Sequence, residues 1–142
     1  MNQTAPELSE GFPPQQQKPP GLTNDMRPVP DHGEKSYRGT GKLAGRRALI
    51  TGGDSGIGRA VALAYAREGA NVALTYMPEE KDDASMTCAL LESTKQTAVP
   101  IEADLRDRDT CDDVVRQAVE GLGGLDILVN NAGFQMAREE GI

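Results

Sequence analysis

The chain has 142 residues, of which 26 % are charged, and a formal net charge of −7. That size fits one domain, and the acidic balance argues against a nucleic-acid or acidic-membrane partner, because phosphate-rich surfaces are met by basic patches. No apolar run reaches the length of about eighteen residues that a membrane span needs. The opening Met1-Asn2-Gln3-Thr4-Ala5-Pro6-Glu7 lacks the basic and apolar regions of a secretory signal.

Residues 1 to about 40 hold seven of the nine prolines and no periodic apolar pattern. Pro13-Pro14, Pro19-Pro20 and Pro28-Val29-Pro30 favour extended polyproline geometry. Two readings stay open: an extended or disordered leader, or an ordered arm lying across a neighbouring subunit through Leu22, Met26, Val29 and Tyr37. His32, the only histidine, falls in this leader, which leaves no histidine-dependent triad or multi-histidine metal site within the chain.

From about residue 41 strand and helix patterns alternate. A first strand is expected over Arg47–Thr51, and a first helix over Ala60–Ala66, with Gly69 just past its end. A second strand follows over Asn71–Tyr76, then a second helix from Glu79 to about Thr94 with Ala84, Cys88 and Leu91 on one face. The third strand, Ala98–Glu102, contains Pro100 and so belongs at a sheet edge. Asp109 is expected to cap a third helix whose buried stripe is Val115, Ala118 and Leu122. Leu125–Val129 completes the set as a fourth strand. This alternation with short connections predicts an α/β fold, a Rossmann-type doubly wound parallel sheet in the order 3-2-1-4. Cys88 and Cys111 fall in predicted helices without C-x-x-C spacing, which reads as free thiols in a reducing, cytoplasmic setting.

The stretch Thr51-Gly52-Gly53-Asp54-Ser55-Gly56-Ile57-Gly58 joins the first strand to the first helix. Glycines there bring backbone N–H groups and a helix N-terminus close to an anion such as a diphosphate. Their spacing, G-x-x-x-G-x-G, differs from G-x-G-x-x-G and from the P-loop. Asp54 is expected to point to solvent, because an acid inside a phosphate loop is otherwise unfavourable. Asp104-Leu105 follows the third strand, and Asn130-Asn131-Ala132-Gly133 follows the fourth.

With these three motifs in this order, the sequence from about Leu43 to Phe134 resembles the short-chain dehydrogenase/reductase family. Within it the likeness is to the glucose-dehydrogenase-like and general-stress oxidoreductases that carry a proline-rich leader. The resemblance implies NADP as cofactor, with NAD as the alternative. No acid stands at Tyr76 to repel a 2′-phosphate, and Arg59 follows the last glycine; Glu79, Glu80 and the uncharged Ser55 weigh the other way. It further implies that Thr51, Gly52, Ser55, Gly56, Ile57, Gly58 and Tyr76 bind the cofactor, with Asp104 and Leu105 beside the adenine. Asn130 would sit near the ribose, small Ala132 and Gly133 would let the cofactor pass close to the backbone, and Asn131 would brace the central strands.

The family's chemistry uses a Tyr-x-x-x-Lys pair with a serine upstream. Tyr37, Tyr65 and Tyr76 are followed four residues on by Gly41, Gly69 and Glu80. No catalytic residue is therefore assigned, and the chain is read as the N-terminal, cofactor-binding part of a longer enzyme. That parent would interconvert an alcohol and a carbonyl by hydride transfer, as a homo-oligomer, a tetramer by the resemblance. A non-catalytic NAD(P)-binding module is the alternative; a Rossmann-like methyltransferase fits Asn130–Gly133 poorly.

Overall fold

The computed structural model describes residues 14–18 and 21–134. Four strands, β1 (Arg47–Ile50), β2 (Asn71–Tyr76), β3 (Ala98–Glu102) and β4 (Ile127–Val129), form one parallel sheet in the order β3-β2-β1-β4. Three helices connect them: α1 (Gly56–Arg67), α2 (Lys81–Glu92) and α3 (Arg108–Leu122). The register aligns Ile50 with Leu74 and with Val129, so β1 and β4 end at one level while β2 runs on to Tyr76 beside β3. Pro100 lies in β3, an edge strand, where its missing N–H costs no ladder bond inside the sheet.

Consecutive residues of β1 explain why both faces are covered. Ile50 points to one face, where it packs with Val72 and Leu74 under α1 (Ala62, Leu63, Ala66) and α2 (Ala84, Cys88, Leu91). Leu49 points to the other, where it packs with Ala73, Ile101 and Ala103 under α3 (Val114, Ala118). A Leu→Ala change at Leu74, which is fully buried, would cost about 2–5 kcal/mol.

Several boundaries differ from the sequence reading. β1 ends at Ile50 rather than Thr51, and β4 begins at Ile127 rather than Leu125. The first helix begins at Gly56, four residues ahead of the alanine run, because Ser55 in extended conformation serves as its N-cap and the glycine turn becomes its first turn. The second helix is shorter than expected: Pro78–Glu80 form a separate 3₁₀ turn, and α2 ends at Glu92. Asp107, not Asp109, caps α3, since its extended backbone lets the carboxylate accept from the Asp109 N–H (3.4 Å). The buried stripe of α3 is correspondingly Val114 and Ala118, while Val115 is 41 % exposed.

The described part of the leader contains one 3₁₀ turn, Thr23–Asp25, and lies against α1 and α2 of its own chain. Polar bonds hold it more than the apolar anchors do. The Thr23 N–H donates to buried Asp83 of α2 (3.0 Å). Glu68, at the end of α1, accepts from the Tyr37 hydroxyl and from the N–H groups of Thr40 and Lys42 (2.9 Å each). Those bonds, the tyrosine's first, hold its carboxyl down at about 2. The Arg67 guanidinium donates to the carbonyls of Gly33, Glu34 and Tyr37. Val29, by contrast, is 59 % exposed.

Candidate functional site

The β1–α1 loop is pinned before any ligand is considered. The Gly52 N–H donates to Thr75 Oγ1 (2.9 Å), the Gly53 N–H to the Thr75 carbonyl (3.1 Å), and Thr87 Oγ1 to the Asp54 carbonyl (2.8 Å). From the β4 side, Asn131 Nδ2 donates to the carbonyls of both Thr51 and Gly52 (2.9 Å each). Thr51 Oγ1 accepts from the N–H groups of Asn131 and Ala132 (3.0 Å each). The two loops that diverge from β1 and β4 are thus tied together at the point where strand order reverses. Open α/β sheets bind ligands at that point.

Ser55 makes no side-chain cap bond to α1. The N–H groups of Gly56, Ile57 and Gly58 are the orphan donors of the helix start, and none finds a partner among the described residues. Gly56 has φ +52°, and a Cβ built on it would meet nothing within 4 Å, so the space before it is open. Gly58 is constrained from behind instead: a Cβ there would run into the Gly52 carbonyl and lie 2.6 Å from Asn131 Nδ2. Gly58 therefore shapes the loop by allowing α1 to pack on it.

In front of the loop lies a cleft of about 750 Å³, within the usual range of ligand sites. Of the residues singled out from the sequence, Gly52, Ser55, Tyr76, Asp104, Leu105, Ala132 and Gly133 line it. Thr51 and Gly58 lie behind the loop as structural partners. Gly56 and Ile57 stand at the helix start, with Ile57 77 % exposed. Asn130 is exposed and does not line the cleft.

Two side chains behave differently from expectation. Asp54 points inward, not to solvent: it is 1 % exposed and Oδ2 has no hydrogen-bond partner. Burial, then the neighbouring Glu80 carboxylate, pushes its pKa up to about 6. The loop turns this side chain under α2, where Thr87 holds its carbonyl, so the glycine-rich context gave no sign of burial. Arg59, whose place after the last glycine leaned towards NADP, is 4 % exposed and faces Glu34 of the leader (Nη2–Oε1 3.5 Å), while its buried Nε and Nη1 have no hydrogen-bond partner among the described residues.

Arg106 is a cleft residue that sequence reasoning missed. Its Nε donates to both oxygens of Asp104 (2.9 and 3.0 Å), and Nη2 adds a third bond. Those bonds depress the Asp104 carboxyl to about 2. The available signal was Arg two residues beyond Asp, a spacing that lets a side chain fold back across a turn.

A parallel doubly wound sheet with a bare helix N-terminus and a cleft at the strand-order switch defines a Rossmann-type nucleotide-binding fold. The pattern of the family described as short chain dehydrogenase matches residues 46–141, and the chain belongs to that family. It is 59 % identical over 128 residues to the oxidoreductase YhxD of Bacillus subtilis, covering 90 % of this chain and 43 % of that one. It is 46 % identical to General stress protein 39 of the same organism, covering 87 % and 43 %. Among solved structures, it is similar to a short chain dehydrogenase of Burkholderia cenocepacia in complex with NADP (TM-score 0.66, 43 % identity, 68 % of this chain and 39 % of that one). It is also similar to carveol dehydrogenase of Mycobacterium avium in complex with NAD (TM-score 0.60, 34 % identity, 66 % and 38 %). The chain thus spans less than half the length of these relatives.

Proposed function

We propose that the cleft binds an NAD(P) dinucleotide, and that the chain is the cofactor-binding part of an oxidoreductase interconverting an alcohol and a carbonyl. The observation that carries this reading is the start of α1. Three backbone donors there lack a side-chain cap, and open space lies before Gly56. That is the arrangement a diphosphate needs. Leu105 offers an apolar surface to an adenine, and Ala132 and Gly133 let a ligand pass close to the backbone. Tyr76 stands at the end of β2, the place where this fold meets the adenosine ribose. A bound nicotinamide would supply or accept the hydride; the residues described here bind and orient it.

Titration with NADH and NADPH, followed by calorimetry, tests the reading. Saturable one-to-one binding is expected, weakened at least about tenfold by Gly56→Val, which places a branched side chain at a positive φ in front of the donors. Unchanged affinity in a variant with wild-type circular dichroism would sink it.

A second reading, binding without turnover, rests on the absence of any Tyr-x-x-x-Lys pair in these 142 residues. Under it, a preparation of these residues binds dinucleotide yet oxidises no alcohol. A cytoplasmic homo-oligomer, tetrameric as the family resemblance implies, is proposed for the whole protein.

A further inference from the structure

We propose that the leader is part of the dinucleotide site, with Glu34 as a positioning residue that seats the first turn of α1 through Arg59. This role rests on the dinucleotide reading above and adds to it what holds the diphosphate donors still. Arg59 takes part in that turn twice. Its N–H donates to the Ser55 carbonyl (3.0 Å) and so closes the turn that presents the N–H groups of Gly56, Ile57 and Gly58. Its guanidinium, almost wholly buried, reaches the Glu34 carboxylate of the leader (Nη2–Oε1 3.5 Å). Neighbouring helix positions differ by about 100°. Gly58 against the Gly52 carbonyl and Arg59 against Glu34 therefore hold the turn from two sides, and the space before Gly56 stays open for a ligand.

The carboxylate is itself held. Glu34 Oε2 accepts from the His32 N–H (2.6 Å), and Oε1 faces His32 Nδ1 (3.2 Å). Asp31 Oδ1 closes the backbone turn that carries it, accepting from the Gly33 and Glu34 N–H groups (3.0 Å each). Arg67, at the far end of α1, clamps the same turn by donating to the Gly33 and Glu34 carbonyls. A Cβ on Gly39 would run into the Arg67 carbonyl, so the leader's backbone lies directly on the helix. Arg59 has no comparable set of partners. Its Nε and Nη1 are buried and unbonded, and Glu34 is the carboxylate that the described residues place against it. A buried guanidinium that loses its counter-charge is strongly disfavoured. Without Glu34 the side chain leaves its seat for water, and the turn it closes loosens. Loose donors bind a diphosphate less well, because ordering them then becomes a cost of binding. Glu34 itself does not line the cleft; it acts through Arg59.

Three readouts test this. NADH affinity is followed by the fluorescence of the reduced nicotinamide, adenosine affinity by amide chemical shifts, and the turn itself by hydrogen exchange at the Arg59 N–H. In Glu34→Ala, NADH is expected to bind at least about tenfold more weakly, while adenosine, which has base and ribose but no phosphate, stays within about twofold. Exchange at the Arg59 N–H should accelerate at least about tenfold. Glu34→Gln, which keeps an oxygen facing Arg59, is expected to lose about threefold in NADH affinity, and it carries the test alone if the alanine variant does not fold. Unchanged NADH affinity in a folded variant overturns the proposal. An equal loss for NADH and adenosine, the mark of general loosening, overturns it too, as does unchanged exchange at Arg59. Failure of the folded wild-type chain to bind NADH at all overturns the dinucleotide reading as well.

Discussion

Asp54 keeps a carboxyl group 1 % exposed, with one oxygen unpartnered, beside Glu80 and Asp83. Its pKa rises from 3.8 to about 6 on folding, so the folded chain binds the proton more tightly than the unfolded chain does. The stability this gives is fully present below pH 3.8 and is lost as pH rises through about 6. The ionised form costs about 3 kcal/mol at pH 7 and above. Asp54→Asn is therefore expected to raise the urea midpoint at pH 8 and to leave it unchanged near pH 3.5. A gain of equal size at both pH values would sink that account. The two loop glycines separate in the same experiment. Gly58→Ala collides with the Gly52 carbonyl and should cost several kcal/mol, whereas Gly56→Ala meets open space and strains only its φ, at about 1–2 kcal/mol. The glycine spacing, Asp104-Leu105 and the two asparagines were legible as motifs because residue type and order carry them. The direction of Asp54, the turning away of Arg59 and the Asp104–Arg106 pair were not, since each depends on which neighbour a loop happens to face.

At the scale of elements, the leader is held to α1 and α2 by a few hydrogen bonds, with Glu68 taking the largest share. Its carboxyl is depressed from 4.5 to about 2, so the hold it gives is present above pH 4.5 and fades as pH falls through about 2. In Glu68→Ala, amide exchange at Thr40 and Lys42 should accelerate at least about tenfold while β1 and β2 stay protected. Unchanged protection at both amides would mean that Glu68 does not hold the leader. Strands β2 and β3 were read to the residue because short, mostly apolar, β-branched-rich stretches between helical segments leave little choice. Helix details were harder. Val114 and Val115 both satisfy a helical stripe with Ala118 and Leu122, and only packing on Ile101 and Ala103 decides between them. Asp107 and Asp109 are equally good caps by type; the backbone angle of Asp107 settles it.

Among the described residues the sheet has edges at β3 and β4, and no residue of β4 is fully buried. Leu128 pairs with Leu49 in register yet is 50 % exposed, so an apolar side chain sits beside strand-edge groups unpaired among the described residues. Edges of that kind pair with other chains. The 142-residue chain is expected to sediment as concentration-dependent oligomers, and Leu128→Lys to shift it toward monomer. Identical sedimentation of the two proteins would remove β4 from consideration. The loop just past the C-terminal end of the same strand behaves otherwise. Asn131 bridges two carbonyls of the neighbouring loop, and Thr51 answers with a hydroxyl that accepts two N–H groups. A crevice floor stitched in this way has no slack joint, which is a statement about time courses as much as about shape. Stopped-flow mixing with dinucleotide should give a single exponential whose rate climbs in proportion to dinucleotide concentration, with no plateau from a slow opening step. Asn131→Ala removes the stitch, and a plateau appearing in that variant alone would show that one amide keeps the crevice ready.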